Sequence, residues 1–374
     1  LMFDFSSFLS NKAFITEDHH VYTYADLLGL SERFSEHLVP RSLIFIGCEN
    51  SLESIVAYVS CLRSGVVPLL LSRDVPDETL YHLEAIYHPR YCWFPSRRDL
   101  LVKGKEKYSL GGYSLIQYDG DSPVLPEGLA LLLTTSGSTG SPKLVRLSHD
   151  NLKSNACSII EYLKITSSEK AITSLPMYYS YGLSVLNSHL LAGATLLLTD
   201  KSYVQREFWK FVLEEKATSF AGVPFTYEIL KKMRFEKFLP SSVKVMTQAG
   251  GKLNSSLIKY FSEYARLHDI RFYVMYGQTE ATARMSYLPA EYTLNKVGSV
   301  GVAIPGGHFS LIDEDGMRIV SPNVEGELVY EGSNVFWGYA ESLDDLFKGD
   351  ENKGILYTGD LAYVDSEGFY YISG

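Results

Sequence analysis

The hydrophobic pattern of the chain switches between two periods. Residues 42–47 (Ser-Leu-Ile-Phe-Ile-Gly) form a short, almost unbroken apolar run, the pattern of a buried strand. Asn50 and Ser51 then open a helical stretch that Gly65 can stop, since glycine accepts the left-handed backbone common after a last helical turn. Residues 66–71 (Val-Val-Pro-Leu-Leu-Leu) read as the next buried strand. Strand, helix, strand, with apolar strands, predicts parallel pairing with helices on both faces of a sheet. Upstream, Thr23 is placed to cap a helix, with Asp26 reaching back to it.

The alternation recurs. Residues 129–134 read as a buried strand and 150–163 as a helix; 171–175 and 194–198 are short strands around a helix-like segment; 243–246 and 272–275 are two more strands. From about Val297 the texture changes. Gly and Pro punctuate short alternating runs such as 326–330 and 369–372, the texture of antiparallel β structure. The expectation is an α/β protein with two layered α/β subdomains, 1–165 and 166–296, and a smaller antiparallel β-barrel-like subdomain, 297–374. No low-complexity linker or internal repeat interrupts the pattern.

Composition narrows the functional classes. The 374 residues exceed what one compact domain needs, and 46% hydrophobic with 21% charged is ordinary for a soluble protein. The net charge of -10 argues against nucleic acid as the main partner, because phosphate neutralisation needs a basic face. The four cysteines, Cys48, Cys61, Cys92 and Cys157, lack zinc-like spacing and suggest no disulfide framework. They read as reduced, mostly buried thiols of a cytoplasmic protein. Residues 1–10 lack the basic region and cleavage site of a signal peptide, and no apolar run reaches membrane-spanning length. His19 and His20 stand without a third ligand nearby in sequence, which makes a metal site there unexpected.

The chemistry concentrates in a few segments. Residues 134–143 read Thr-Thr-Ser-Gly-Ser-Thr-Gly-Ser-Pro-Lys, after a buried strand and, on the pattern, before a helix. Thr135, Ser136, Ser138 and Thr139 supply hydroxyl donors. Gly137 and Gly140 let backbone N–H groups approach an anion, and Lys143 adds a positive charge. The composition also suits a plain surface turn. The Walker pattern does not fit, because Ser141 and Pro142 follow Gly140, and this excludes a P-loop kinase or ATPase; the dinucleotide pattern is absent as well. Residues 276–280 (Tyr-Gly-Gln-Thr-Glu) follow a buried strand, at the end where open α/β sheets bind ligands. Tyr276 can stack on a purine, Thr279 can donate to a phosphate, and Glu280 can hold Mg²⁺. Ala249-Gly250-Gly251-Lys252 is a second turn and Tyr357-Thr358-Gly359-Asp360 a third, whose carboxylate can accept a pair of hydroxyls. Each of these also has a plain structural reading as a turn.

Taken together and in this order, the segments resemble the large domain of the adenylate-forming superfamily, from about Tyr22 to Gly374. That superfamily comprises acyl- and aryl-CoA synthetases, the adenylation domains of non-ribosomal peptide synthesis, and the beetle luciferases. The resemblance implies ATP-dependent activation of a carboxylic acid to an acyl-adenylate with release of pyrophosphate, using Mg²⁺, followed by transfer to a thiol of coenzyme A or a carrier protein. It implies that Thr135, Ser136, Gly137, Ser138, Thr139, Gly140 and Lys143 bind phosphates. Gly250, Gly251, Lys252, Tyr276, Gly277, Gln278, Thr279 and Asp360 then bind adenine, ribose and α-phosphate. Glu280 becomes the magnesium ligand, Thr139 and Glu280 the catalytic residues, and Tyr179 and Gly250 the acid pocket. The segments Gly326-Glu327-Leu328 and Gly338-Tyr339 match a mainly structural part.

Two positions depart from the family pattern: Tyr179, where many CoA synthetases show His, and Leu144, where Gly is frequent. Residues 175–183 offer no carboxylate to pair with an ammonium, which weakly disfavours an α-amino acid. In the family the glycine matching Gly374 is followed by an Arg, a hinge and a small lid domain bearing a Lys. The expectation for the chain as printed is therefore a large domain without its lid, weakly active alone. The competing expectation is a non-catalytic nucleotide- or acyl-binding module that retains the fold.

Overall fold

The computed structural model describes residues 2–96, 103–135 and 143–374. Among these residues the chain forms three sheets. The largest has nine strands, with a run of parallel strands in the order Arg271–Tyr276, Val245–Gln248, Ser219–Gly222, Lys170–Ile172, Thr195–Leu198 and Lys12–Thr16. The eight-stranded sheet has Leu129–Thr134, Val67–Ser72, Leu43–Cys48 and Tyr91–Pro95 as its parallel centre. The β-rich C-terminal part is a five-stranded antiparallel sheet, which includes Gly326–Glu331 and Ile355–Val364.

Local chemistry explains the helices that join these strands. Thr23 caps the helix Tyr24–Ser35 and exchanges hydrogen bonds with Asp26, as the sequence suggests. Ser51 caps Leu52–Ser64, and Gly65 ends it with φ 69°. This second helix is buried around nearly its whole circumference, which only a position between layers allows. It lies against the helix Ser180–Leu191, with the Tyr58 hydroxyl donating to Asn187 Oδ1 at 3.0 Å. One hydrophobic core draws residues from both large sheets and both helices, including Ile44, Ile55, Leu131, Leu186 and Leu196. The outer faces carry separate cores, with Leu80, Leu83 and Tyr87 on one sheet and Phe208, Tyr227 and Phe261 on the other. No helix of the described residues is long and apolar enough to cross a membrane.

Two local expectations are corrected. The segment after the Ser/Gly/Thr loop is a strand, Leu144–Ser148, before the helix His149–Leu163 begins. The strand pairs antiparallel with Leu129–Thr134, and the Thr135 amide donates to the Lys143 carbonyl at 3.3 Å. Thr135 and Lys143 therefore face each other at the end of an antiparallel pair of strands. The physical reason is that all five residues 144–148 are buried in the sheet, while Ser148 with Asn151 forms the helix cap. Asp360 stands inside the strand Ile355–Val364, not on a tight turn. There the register against Gly326–Glu331 shifts, and Gly359 takes φ 74°, so a bulge re-aims Asp360.

Sheet membership also crosses the boundaries at 165 and 296. Lys12–Thr16 pairs with Thr195–Leu198 in the nine-stranded sheet. Gly338–Ala340 pairs with Leu144–Ser148 as an edge of the eight-stranded sheet. Arg146 fixes that edge. Its guanidinium is fully buried, binds Glu351 and the Lys348 carbonyl, and donates to the carbonyls of Gly349 at 3.3 Å and Trp337 at 3.4 Å. Replacing Arg146 with Ala strands several carbonyls and half-frees Glu351, so we expect about 2–4 kcal/mol of destabilisation in urea unfolding. A change below about 0.5 kcal/mol would show that water replaces the guanidinium without loss.

Candidate active site

The strand Arg271–Tyr276 ends at Gly277, where the chain folds sharply back. A Cβ at position 277 would run into the Ala283 carbonyl, so only glycine fits. A short 3-10 turn, Thr279–Ala281, follows, and Thr282 then takes φ 66° although it is β-branched. Such a backbone persists only when its surroundings hold it. Asn334 supplies the hold, donating from Nδ2 to the carbonyls of Ala281 at 2.8 Å and Arg284 at 3.2 Å. The Phe336 amide donates to the Glu280 carbonyl at 2.8 Å, and the Thr282 hydroxyl donates to the Asn334 carbonyl at 2.6 Å. The segment carrying Asn334 and Phe336 is itself tied to the helix His149–Leu163, through Asn151 Nδ2 to the carbonyls of Ser333 and Val335.

Glu280 leaves this turn half-buried, and Tyr339 donates to its Oε1 at 2.7 Å. Burial and the carboxylate both push the Tyr339 phenol up, so it remains a donor. Lys143 Nζ lies 5.5 Å from the Tyr339 ring centroid and pairs with Glu341 Oε1 at 3.0 Å. The cation at the base of the loop and the carboxylate of the turn thus flank one tyrosine. Tyr339, expected to be structural, touches the candidate metal ligand; its exposed position in an otherwise structural segment gave no sign of that.

On the other side of the turn, Tyr276 donates to Asp360 Oδ2 at 2.5 Å. Burial, then the Asp360 carboxylate, raise the tyrosine pKa and keep its proton in place. Gln278 Nε2 reaches Asp360 Oδ2 at 3.1 Å, the Tyr276 hydroxyl at 3.2 Å and the Thr358 carbonyl at 3.0 Å. One oxygen of Asp360 is held by these groups, and the other accepts no protein donor among the described residues. The 249–251 turn follows the neighbouring parallel strand, Val245–Gln248. Gly250 takes φ 83°, and a Cβ there would sit 2.6 Å from the Tyr179 hydroxyl, so that side chain lies across Gly250. Lys252 is exposed and reaches the Ile372 carbonyl at 3.5 Å.

Two adjoining cavities result. One, of about 250 Å³, is lined by Thr135, Tyr179, Gly250, Thr279 and Glu280, among others. The other, of about 290 Å³, includes Gly251, Lys252, Val274, Ser299, Val300 and Asp360. Gly250, Tyr276, Gly277 and Gln278 border both. The site is therefore two-chambered, one chamber polar around Glu280 and the other more apolar and ending at a carboxylate. It sits at the carboxyl ends of adjacent parallel strands, where ligands of α/β sheets bind. Ser180 Oγ lies 3.1 Å from Thr279 Oγ1, a contact the sequence did not indicate. Of the predicted loop, Thr135 and Lys143 belong to this neighbourhood, while Ser136, Gly137, Ser138, Thr139 and Gly140 lie outside the described residues.

The donor set around Glu280 suits a hard cation: an oxygen ligand, oriented by Tyr339, beside a cavity large enough for phosphates. Among the described residues no group of three or more His, Cys, Asp or Glu could hold a metal unaided. A magnesium ion here would be shared between Glu280 and the phosphates of a nucleotide.

Comparisons with known proteins bear on the family and the fold. A family model described as AMP-binding enzyme matches residues 7–340. The 2-succinylbenzoate–CoA ligase of Bacillus thuringiensis subsp. konkukian is 32% identical, over 98% of this chain and 77% of its own length. A Bacillus cereus protein of the same description is 28% identical over the same shares. Among solved structures, the inhibitor-bound N-terminal domain of FACL13 from Mycobacterium tuberculosis matches with a TM-score of 0.82 at 18% identity, covering 99% of this chain and 97% of that one. The o-succinylbenzoate CoA synthetase of Bacillus subtilis, in complex with its acyl-adenylate intermediate, matches with a TM-score of 0.79 at 24% identity, covering 97% and 75%. At those identities the solved structures establish the fold. The family model and the ligases establish more: this chain belongs to the AMP-binding enzyme family.

Proposed function

We propose that this chain activates a carboxylic acid with ATP, forming an acyl-adenylate and pyrophosphate, and that coenzyme A then takes the acyl group. The observation that carries the reading is the convergence of the 276–280 turn, Gly250 and Asp360 on two adjoining cavities, although they are scattered over more than a hundred residues. Coenzyme A as acceptor, in preference to a carrier protein, is supported by the relatives described as CoA ligases. We place the reaction in the cytoplasm, where ATP and coenzyme A are both available. We divide the chain into subdomains at about 165 and 296, tied together by the strands Lys12–Thr16 and Gly338–Ala340, which pair across those boundaries.

A carboxylate resists acyl transfer because its leaving group would be oxide. Attack of its oxygen on the α-phosphorus of ATP forms a new P–O bond while the bridge to the β-phosphate breaks, and pyrophosphate departs. A thiolate then attacks the acyl carbon, and AMP leaves with the electron pair. The residues of this chain serve by position and charge. Asp360 accepts ribose hydroxyls on the oxygen that Tyr276 and Gln278 leave free. Gly250 and Gly251 admit the adenine edge, with Lys252 at the mouth. Thr279 donates to the α-phosphate, its hydroxyl oriented by Ser180. Residues 135–140 with Lys143 receive the β- and γ-phosphates, for which Lys143 exchanges its pairing with Glu341. Magnesium, when bound at Glu280, screens phosphate charge as it shifts to the leaving group. The acid enters between Tyr179 and Gly250.

The metal role is tested by Glu280→Ala and Tyr339→Phe in the full-length protein. Glu280→Ala should cut acid-dependent pyrophosphate exchange about 10²-fold or more without changing the thermal midpoint. Tyr339→Phe leaves the carboxylate in place but loosens it, so about tenfold more Mg²⁺ should be needed for half-maximal exchange. Near-normal exchange by Glu280→Ala at saturating acid would remove Glu280 from the mechanism.

The ribose role has an independent reporter. The unmodified protein should prefer ATP over 2′-deoxy-ATP by about tenfold, the worth of one hydrogen bond to a charged group. Asp360→Ala should bind ATP more weakly and no longer distinguish the two nucleotides in calorimetry. Retained discrimination would assign the ribose to another residue.

A further inference from the structure

Gln248 ends the parallel strand Val245–Gln248 and is completely buried. Its Nε2 donates to the Gly251 carbonyl at 2.8 Å. Its Oε1 is buried too and accepts no donor among the described residues. Leaving an amide oxygen in that state is unfavourable, because folding removes its bonds to water and returns none. Val274 is its partner on the adjacent strand, and Leu253 and Ile258 line the same chamber. A methionine would suit such company better, having the same reach and no polar group to satisfy. The stability of the fold therefore gives no reason for an amide at this position.

The reason lies in the turn that follows. It contains two consecutive glycines, the softest backbone a chain can have, with Gly250 at φ 83°. The entry to the turn is fixed by the Ala249 amide, which donates to the Gly222 carbonyl at 3.3 Å. Its exit is fixed by Gln248, whose side chain reaches across the turn to the Gly251 carbonyl. In a trans peptide the carbonyl and the next N–H point in opposite directions, so the same bond sets the direction of the Lys252 N–H. Gly250 and Gly251 form part of the wall of the chamber that ends at Asp360, and Gly250 also borders the chamber around Glu280. One buried amide thus shapes the wall that the two chambers share.

Resting on the adenylation reading, we propose that Gln248 is a positioning residue for the nucleotide: it holds the 249–252 turn in its binding shape, and its orphaned Oε1 is the stability given up for that hold. Without the bond the glycine pair samples other conformations, which the nucleotide must then freeze when it binds. Gln248 acts through the turn, so it governs affinity for the nucleotide and leaves the chemical step alone. Stability and binding pull this position in opposite directions.

The test compares Gln248→Met and Gln248→Glu with the unmodified full-length protein. The methionine removes both the orphan and the hold. Its thermal midpoint should equal or exceed that of the unmodified protein, while calorimetry shows ATP bound about five- to tenfold more weakly. In acid-dependent pyrophosphate exchange its KM for ATP should rise by the same factor, with kcat and the KM for the acid unchanged. The glutamate adds a switch. Its protonated carboxyl can donate to the Gly251 carbonyl and its ionised form cannot, so ATP affinity relative to the unmodified protein should recover as pH falls from about 8 to about 6. A Gln248→Met protein that melts well below the unmodified one, or does not fold, marks the amide as structural and overturns the proposal. Unchanged ATP affinity in Gln248→Met overturns it as well, and so does a Gln248→Glu affinity with no more pH dependence than that of the unmodified protein. If no acid supports exchange, yet ATP binds tightly to the unmodified protein and weakly to Gln248→Met, the adenylation reading ends and the role of Gln248 stands. A protein that binds no ATP overturns both.

Discussion

The hydrogen bond from Tyr276 to Asp360 joins two sheets at the site itself, beside the bridge of Gly301 to Tyr370 and the ion pair of Lys296 with Asp365. One end lies where a parallel strand of the nine-stranded sheet stops; the other lies on a bulge of the five-stranded sheet. Gln278 doubles the link by donating to the same carboxylate and to the Thr358 carbonyl. The junction also has a directional effect. By occupying one oxygen of Asp360, it leaves a single acceptor aimed into the cavity, so the carboxylate is oriented before any ligand arrives.

The second support is the clamp of Asn334 on the carbonyls of Ala281 and Arg284. The strained Thr282 backbone between them aims two side chains in different directions. Glu280 goes toward Tyr339 and Lys143, and Arg284 goes inward toward Tyr162 and Ser184. A few residues of turn thus set both a negative group for a cation and a positive group deeper in the same cavity.

Much of this was legible in the sequence, and the parts that were not share a cause. Apolar runs such as 129–134 and 272–275, and the caps at Thr23 and Ser51, are local signals, and the structure has strands and helices there. The strand Leu144–Ser148 was missed because its five residues are buried by partners on both sides, which erases the alternation of a half-exposed strand. The bulge at Asp360 depends on the opposite strand, whose register no local pattern encodes. Tyr339 is an ordinary residue in sequence. Its importance appears only through a contact 59 residues away. The Ser/Gly/Thr loop is the reverse case, being conspicuous in sequence while residues 136–142 lie outside the described part.

The edge strand Gly338–Ala340 has a consequence for how the molecule is made. It completes a sheet whose other members all come from the first 148 residues. During synthesis, Leu144–Ser148 therefore emerges from the ribosome long before the strand that covers it. For the time needed to translate nearly two hundred more residues, about ten seconds or longer, its outer backbone groups stand unpaired beside a buried arginine with no acid yet available. An open, apolar sheet edge is a template for pairing with another chain. The growing polypeptide is thus most prone to self-association while the middle of the sequence is being translated, and this hazard ends when residues 338–351 arrive to cap the edge and neutralise Arg146.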